Sequence, residues 1–178
     1  MRKVLDDEIL FARLNDSVII PSKRDEDGAF DVYANFEEDY LIINPNETRL
    51  IPTGLVSAFS DRYVAIVKER GSTGSKGMGL RCGVVDSGYR GEWFIAITNH
   101  NKLPIVIAKT KYNKEDVNFE LCGNTRLSRD YVLYPYEKAI AQVIMVEVPR
   151  LKLKEVSEQE LMEFTSERGN GMLGSSNK

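Results

Sequence analysis

Gly83-Val84-Val85-Asp86-Ser87-Gly88-Tyr89-Arg90-Gly91-Glu92-Trp93 reads as a strand, a hairpin turn and a second strand. The β-branched pair Val84-Val85 favours extended backbone, Asp86-Ser87-Gly88 has turn chemistry, and the aromatic Trp93 resumes the strand. The same rhythm continues outward in both directions. Short runs rich in Val, Ile, Tyr and Phe, punctuated by Gly, Pro, Asn and Asp, predict strands at 9–14, 30–34, 40–43, 48–51, 55–58, 63–68, 83–85, 93–98, 103–107, 131–133, 140–148 and 151–154. So many short strands predict an all-β fold, a barrel or double-sheet jelly roll. One helix is expected at 158–164, opened by Ser157 with Glu160 three residues later, the spacing of a capping box.

With 178 residues, 42% of them apolar, the chain can bury one core. The expected organisation is a single β domain at 1–167 and a flexible tail at 168–178 rich in Gly, Ser and Asn. The 24 Lys and Arg against 27 Asp and Glu leave a net charge of -3, which exerts no global pull on nucleic acid or anionic membrane. An anionic ligand must be held by local charges. Residues 108–137 break the strand rhythm and are expected to carry a hairpin of their own; their charges nearly cancel, which argues against a nucleic-acid arm.

Cys82, Cys122 and His100 are the only cysteines and histidine, too few for a four-ligand zinc site. A nucleophile activated by histidine would have to use His100, whose Asn99-His100-Asn101 setting reads as a solvated loop. The two cysteines make no disulfide framework and the first residues lack the apolar run of a signal peptide, so a cytoplasmic location is expected. No stretch approaches the ~18 apolar residues of a membrane span.

Three Gly/Ser clusters could carry chemistry. In Glu69-Arg70-Gly71-Ser72-Thr73-Gly74-Ser75-Lys76-Gly77, small residues admit an anion to backbone N–H groups and Arg70 offers a planar fork to phosphate oxygens. The Walker spacing is absent and no helix is expected to follow, so a Gly/Ser-rich surface turn is the competing reading. In the run from Gly83 to Trp93, Asp86 could orient or deprotonate a water and Tyr89 could face a sugar or base, against the alternative of a solvated hairpin. Arg168-Gly169-Asn170-Gly171-Met172-Leu173-Gly174-Ser175-Ser176 is equipped to close on phosphates, or is a passive terminus.

Together with Gly28-Ala29-Phe30-Asp31-Val32-Tyr33-Ala34 and Ile140-Ala141-Gln142-Val143, these clusters resemble, in order, the five motifs of the trimeric dUTPase family. The variant forms look most like those of bacteriophages and Gram-positive bacteria. The resemblance implies a jelly-roll subunit, a homotrimer with active sites shared between chains, and hydrolysis of dUTP to dUMP and pyrophosphate. It implies that Asp86 holds the water attacking the α-phosphorus, with Mg²⁺ held through substrate phosphates and water and no direct protein ligand. Tyr89 would pack on the deoxyribose, and the hairpin with Gly83 and Val85 would read uracil. Arg70, Gly71, Ser72, Thr73 and Gln142 would line the phosphates and the water, while Asp31 would orient the arginine or the metal's waters. Arg168 would clamp the γ-phosphate as the tail closes with Gly171, Leu173 and Ser175.

Four positions depart from the family pattern: Glu69-Arg70-Gly71 stands for Pro-Arg-Ser, Glu137-Lys138-Ala139 for Gly-Asp-Arg, Leu173 for a uracil-stacking phenylalanine, and no asparagine matches near Leu80-Arg81. Two other readings share the fold. A dCTP deaminase would need a glutamate at the pyrimidine, for which Glu92 is the candidate. A nucleotide-sensing module would use 108–137 to grip a protein partner.

Overall fold

The structure, a computed structural model, describes residues 3–81, 83–109, 131–166 and 169. It divides into two compact units, Met1–Val148 and Pro149–Lys178. The first holds twelve described strands: β1 (Ile9–Arg13), β2 (Phe30–Val32), β3 (Tyr40–Ile43), β4 (Thr48–Pro52), β5 (Leu55–Phe59), β6 (Tyr63–Lys68), β7 (Met78–Arg81), β8 (Val84–Asp86), β9 (Phe94–Asn99), β10 (Ile105–Ala108), β11 (Val132–Pro135) and β12 (Ala141–Glu147). A single helical turn, α1 (Gly71–Gly74), separates β6 from β7, and the second unit contains α2 (Glu158–Met162). The fold is of the all-β jelly-roll class.

The strands form four sheets: β1-β5, β11-β10-β3, β2-β12-β6-β8 and β4-β9-β7. Alternation explains them locally. In β5, Leu55, Ser57 and Phe59 are buried while Val56 and Ala58 are half-exposed, the period-two pattern of a strand with one face on a core. The central strand β10 is buried at all four positions because both of its faces are covered. Ile105 and Ile107 join the main core with Ile43, Ile51, Leu55, Ile97 and Ile140, and Val106 and Ala108 join Ile42 in a second cluster behind it. Each large aliphatic side chain so buried contributes about 1.5–3 kcal/mol against conformational entropy.

Four expectations are corrected. The second strand of the run around Asp86 does not pair with the first: β8 pairs with β6, whereas β9 lies between β4 and β7. The turn therefore carries the chain from one sheet to another and closes no hairpin. A helical turn does follow Arg70, because the Thr73 hydroxyl accepts from the Arg70 N–H at 2.9 Å and donates to its carbonyl at 3.0 Å. Residues 151–154 form no strand, since Leu151 and Leu153 are exposed and no neighbouring strand supplies a ladder. β7 was not expected, because Gly77 and Gly79 mask it. Gly79 is glycine for a spatial reason: a Cβ there would lie 2.4 Å from the His100 imidazole.

Within 108–137, the expected strand at 131–133 is found as β11, which runs parallel to β10 with Ile105 opposite Val132. Of the 108–137 segment expected to carry a hairpin, 110–130 lie outside the described residues. The predicted helix is present as α2, with Ser157 Oγ accepting from the Glu160 N–H at 3.1 Å.

Candidate active site

The four-stranded sheet positions the candidate residues. Asp31 on β2 lies opposite Gln142 on β12, which in turn lies opposite Lys68 at the end of β6. The chain then leaves β6 through Glu69 into the Arg70 turn. This register brings Arg70 to Asp31: its Nε lies 2.7 Å from one carboxylate oxygen and its Nη2 lies 3.1 Å from the other. Such a two-point ion pair fixes the plane of the guanidinium. The remaining nitrogen, Nη1, donates to Ser72 Oγ at 3.3 Å and to the Ala139 carbonyl at 3.4 Å.

Gln142 holds the turn from the other side, its Nε2 donating to the Glu69 carbonyl at 2.7 Å. The Glu69 carboxylate accepts the Leu80 N–H at 2.9 Å, and this bond keeps its carboxyl below the usual carboxylate value. Thr73 is buried with its hydroxyl committed to the Arg70 backbone, so it shapes the turn. A cleft of about 940 Å³ opens over this cluster, lined by Asp31, Arg70, Gly71, Ser72 and Gln142 and by Lys23, Arg24 and Asp27 from the loop before β2. Arg24 pairs there with Asp27 at 2.9 Å.

Asp86 and Tyr89 lie elsewhere. Asp86 is opposite Val64, four residues before Lys68 on β6. Asp31 and Asp86 thus share one face of the sheet, about 13 Å apart along the strands and about 14 Å across three strand steps. The Asp86 carboxylate is exposed, and no side chain among the described residues engages it. Tyr89 is about half exposed; its hydroxyl donates to the Glu92 carbonyl at 2.9 Å. Its ring lies over Gly91, where a Cβ would meet the hydroxyl at 2.5 Å. Arg90 braces the turn by donating to the Ser87 carbonyl at 2.6 Å. Gly83 and Val85 belong to the same segment, the Gly83 carbonyl accepting from Val67 and Val85 packing on the core.

Glu92 is engaged structurally: its carboxylate accepts the Gly54 N–H at 2.7 Å. His100 is exposed, as expected of a loop histidine, and borders a second cleft with Glu69 and Arg70. Arg168, Gly171, Leu173 and Ser175 lie outside the described residues.

Sequence reading missed three participants: Glu69 as an anchor, the Ala139 carbonyl as a ligand of Arg70, and Tyr134, whose hydroxyl donates to that carbonyl at 2.6 Å. The one signal available for Tyr134 was its place in the apolar run Val132-Leu133-Tyr134, since a buried tyrosine needs a partner for its hydroxyl. Among the described residues no group of three or more His, Cys, Asp and Glu side chains is placed to hold a metal ion, and no helix is long and apolar enough to cross a membrane.

Comparison with known proteins identifies the family. The dUTPase family model matches residues 15–112. A deoxyuridine 5'-triphosphate nucleotidohydrolase of Paraburkholderia xenovorans is 31% identical over 98% of both chains, and one of Nitrosospira multiformis is 30% identical over 99% of both. Among solved structures, a dUTPase variant of Staphylococcus bacteriophage 80alpha with dUpNHpp superimposes with a TM-score of 0.71 at 22% identity, covering 96% of this chain and 98% of its own. A family match over more than half the chain, joined to near-complete alignment with relatives above the 30% level, leads to one assignment: the chain belongs to the dUTPase family.

Proposed function

We propose that this chain hydrolyses dUTP to dUMP and pyrophosphate as a homotrimer whose sites are completed between chains. One observation carries the reading: Asp86 and the Arg70 cluster lie on the same sheet face, too far apart to serve one substrate within a chain. Between them that face presents Val64, Ile66, Val84, Ile144 and Val146, with Val84 at 64% exposure. An apolar strip of this kind fits a second copy of the chain, whose Arg70 end would then approach the first chain's Asp86.

In this reading Asp86, exposed and without a side-chain partner among the described residues, orients the attacking water and accepts its proton. Arg70, held flat by Asp31, receives phosphate oxygens with Ser72 and the Gly71 backbone. Gln142 keeps the turn in place through Glu69. Tyr89, fixed over Gly91, packs on the deoxyribose. A Mg²⁺ ion held through the triphosphate and water would offset the phosphate charge; the donor set fits this, because both Asp31 oxygens bond Arg70 and Mg²⁺ is commonly held by phosphates and water. A dUTPase of phage phi11 of S. aureus is described with a coordinated structural Mg(II) ion. Closure by Arg168, Gly171, Leu173 and Ser175, a docking role for 108–137 and a cytoplasmic location belong to the same proposal. So does the bacteriophage or Gram-positive affinity; the phage structures share the fold, and the curated relatives above come from Gram-negative bacteria.

The deaminase reading would require Glu92 to carry protons while its Oε1 also holds the Gly54 N–H. The test is incubation with dUTP, UTP and each dNTP in the presence of Mg²⁺, with products followed by phosphorus NMR and chromatography. Conversion of dUTP alone to dUMP and pyrophosphate is expected. Release of ammonia from dCTP, or nucleotide binding without turnover, would overturn the reading.

A further inference from the structure

Tyr134 is wholly buried in the core, yet its hydroxyl reaches the backbone that engages Arg70, which lines the cleft. There it donates to the Ala139 carbonyl, the same oxygen that accepts Arg70 Nη1. A carbonyl oxygen has two lone pairs, so both donors can be served at once. Position 139 is alanine and has only this backbone group to offer. The tyrosine itself cannot drift. β11 is fixed in register against β10, and the following turn is closed by Tyr136 N–H to the Ala108 carbonyl at 2.7 Å and Lys138 N–H to the Pro135 carbonyl at 3.1 Å.

We propose that Tyr134 is a positioning residue for the triphosphate site, holding the Ala139 carbonyl in the direction that fixes the third corner of the Arg70 guanidinium. Asp31 sets two of the guanidinium nitrogens; the remaining one is shared by Ser72 Oγ and, through Ala139, Tyr134. The role requires the phenol to stay protonated. Burial does this by pushing its pKa up, although Ser72 and Arg70 nearby pull the other way. The inference rests on the dUTPase reading and extends the site into the 108–137 segment, which contains none of the five motifs.

Tyr134→Phe removes the hydroxyl and keeps the ring. Affinity for the non-hydrolysable triphosphate dUpNHpp would be measured calorimetrically for the wild type, Tyr134→Phe, Arg70→Ala and the double variant, beside dUTP turnover. Loss of one neutral hydrogen bond predicts about fivefold weaker binding and a similar rise in KM, with kcat within about twofold. The same substitution made on Arg70→Ala should cost nothing further, because the residue acts through the arginine. Equal losses in both backgrounds would mark a merely structural tyrosine and overturn the proposal. Unchanged affinity in Tyr134→Phe, or its failure to fold, would do the same. A wild-type protein that leaves dUTP intact would instead remove the function on which the inference stands.

Discussion

Asp31 and Asp86 are carboxylates on one sheet face with opposite surroundings. Asp31 has both oxygens on Arg70, while the Asp86 carboxylate is exposed and without a side-chain partner among the described residues. Only the latter is free to take a proton from water. Asp86→Asn should therefore lower kcat by at least about a hundredfold with little change in nucleotide affinity; single-turnover kinetics check this, and near-normal turnover would remove Asp86 from the mechanism. Glu69 gives a pH dependence. The Leu80 N–H lowers its carboxyl pKa in the folded chain, so its contribution to stability is present above the unfolded carboxyl's pKa, about 4.3, and is lost as pH falls through the lower folded value. Denaturant titrations should show Glu69→Gln less stable than wild type near neutrality, with the gap closing toward acid. A gap independent of pH would contradict the anchor. Arg70 and Ser72 were legible in the sequence as charged and small polar residues beside glycines, and Asp31 and Gln142 only through the resemblance of their segments to dUTPase motifs. Tyr134 was not, because a tyrosine in an apolar run has the same signature whether it only fills the core or also orients a carbonyl.

At the scale of elements, the strands with regular β-branched alternation were legible: β3 and β6 match their predicted bounds, and most others differ by a residue or two at an end. The failures are physical. β7 contains a glycine required by His100, so its composition imitates a turn. The 151–154 segment has the alternation of a strand without a partner, and alternation alone makes no ladder. The turn after Asp86 has hairpin chemistry, but whether its flanking strands pair is decided by the rest of the sheet. A parallel neighbour for β10 was equally invisible, and it constrains what joins β10 to β11. Parallel strands need a crossover of about a dozen residues, and 110–130 exceeds that. Replacing 111–129 with a Gly/Ser linker of about twelve residues should leave β11 in register, Tyr134 in place and dUTP turnover within about threefold, as judged by size exclusion and steady-state kinetics. A folded trimer without hydrolysis would place the segment inside the site.

For the whole molecule, the separation of Asp86 from Arg70 makes a quantitative prediction. Asp86→Asn and Arg70→Ala should each be nearly inactive, but denatured together at equal concentration and refolded, they should recover activity. If each site takes Asp86 from one chain and Arg70 from a neighbour, random assembly leaves about one quarter of the sites intact. Recovery near that fraction supports sites shared between chains. Recovery of none, with mixed assemblies confirmed by mass spectrometry, would confine the site to one chain and refute the arrangement.

Trp93 follows the Asp86 turn and immediately precedes β9, and it is the only tryptophan in the sequence. It is 2% exposed, its indole nitrogen donates to Ser57 Oγ at 3.1 Å, and Phe11 meets it edge-on at 5.5 Å. Its contacts come from β1 and β5, whereas its chain neighbours carry Tyr89 and Asp86. The protein thus contains a single fluorophore excitable apart from its tyrosines, and its emission reports one identifiable place: the seam where the turn bearing the proposed water-orienting aspartate is fastened to the core. A red shift on heating or dilution would time the loosening of that seam, without any label.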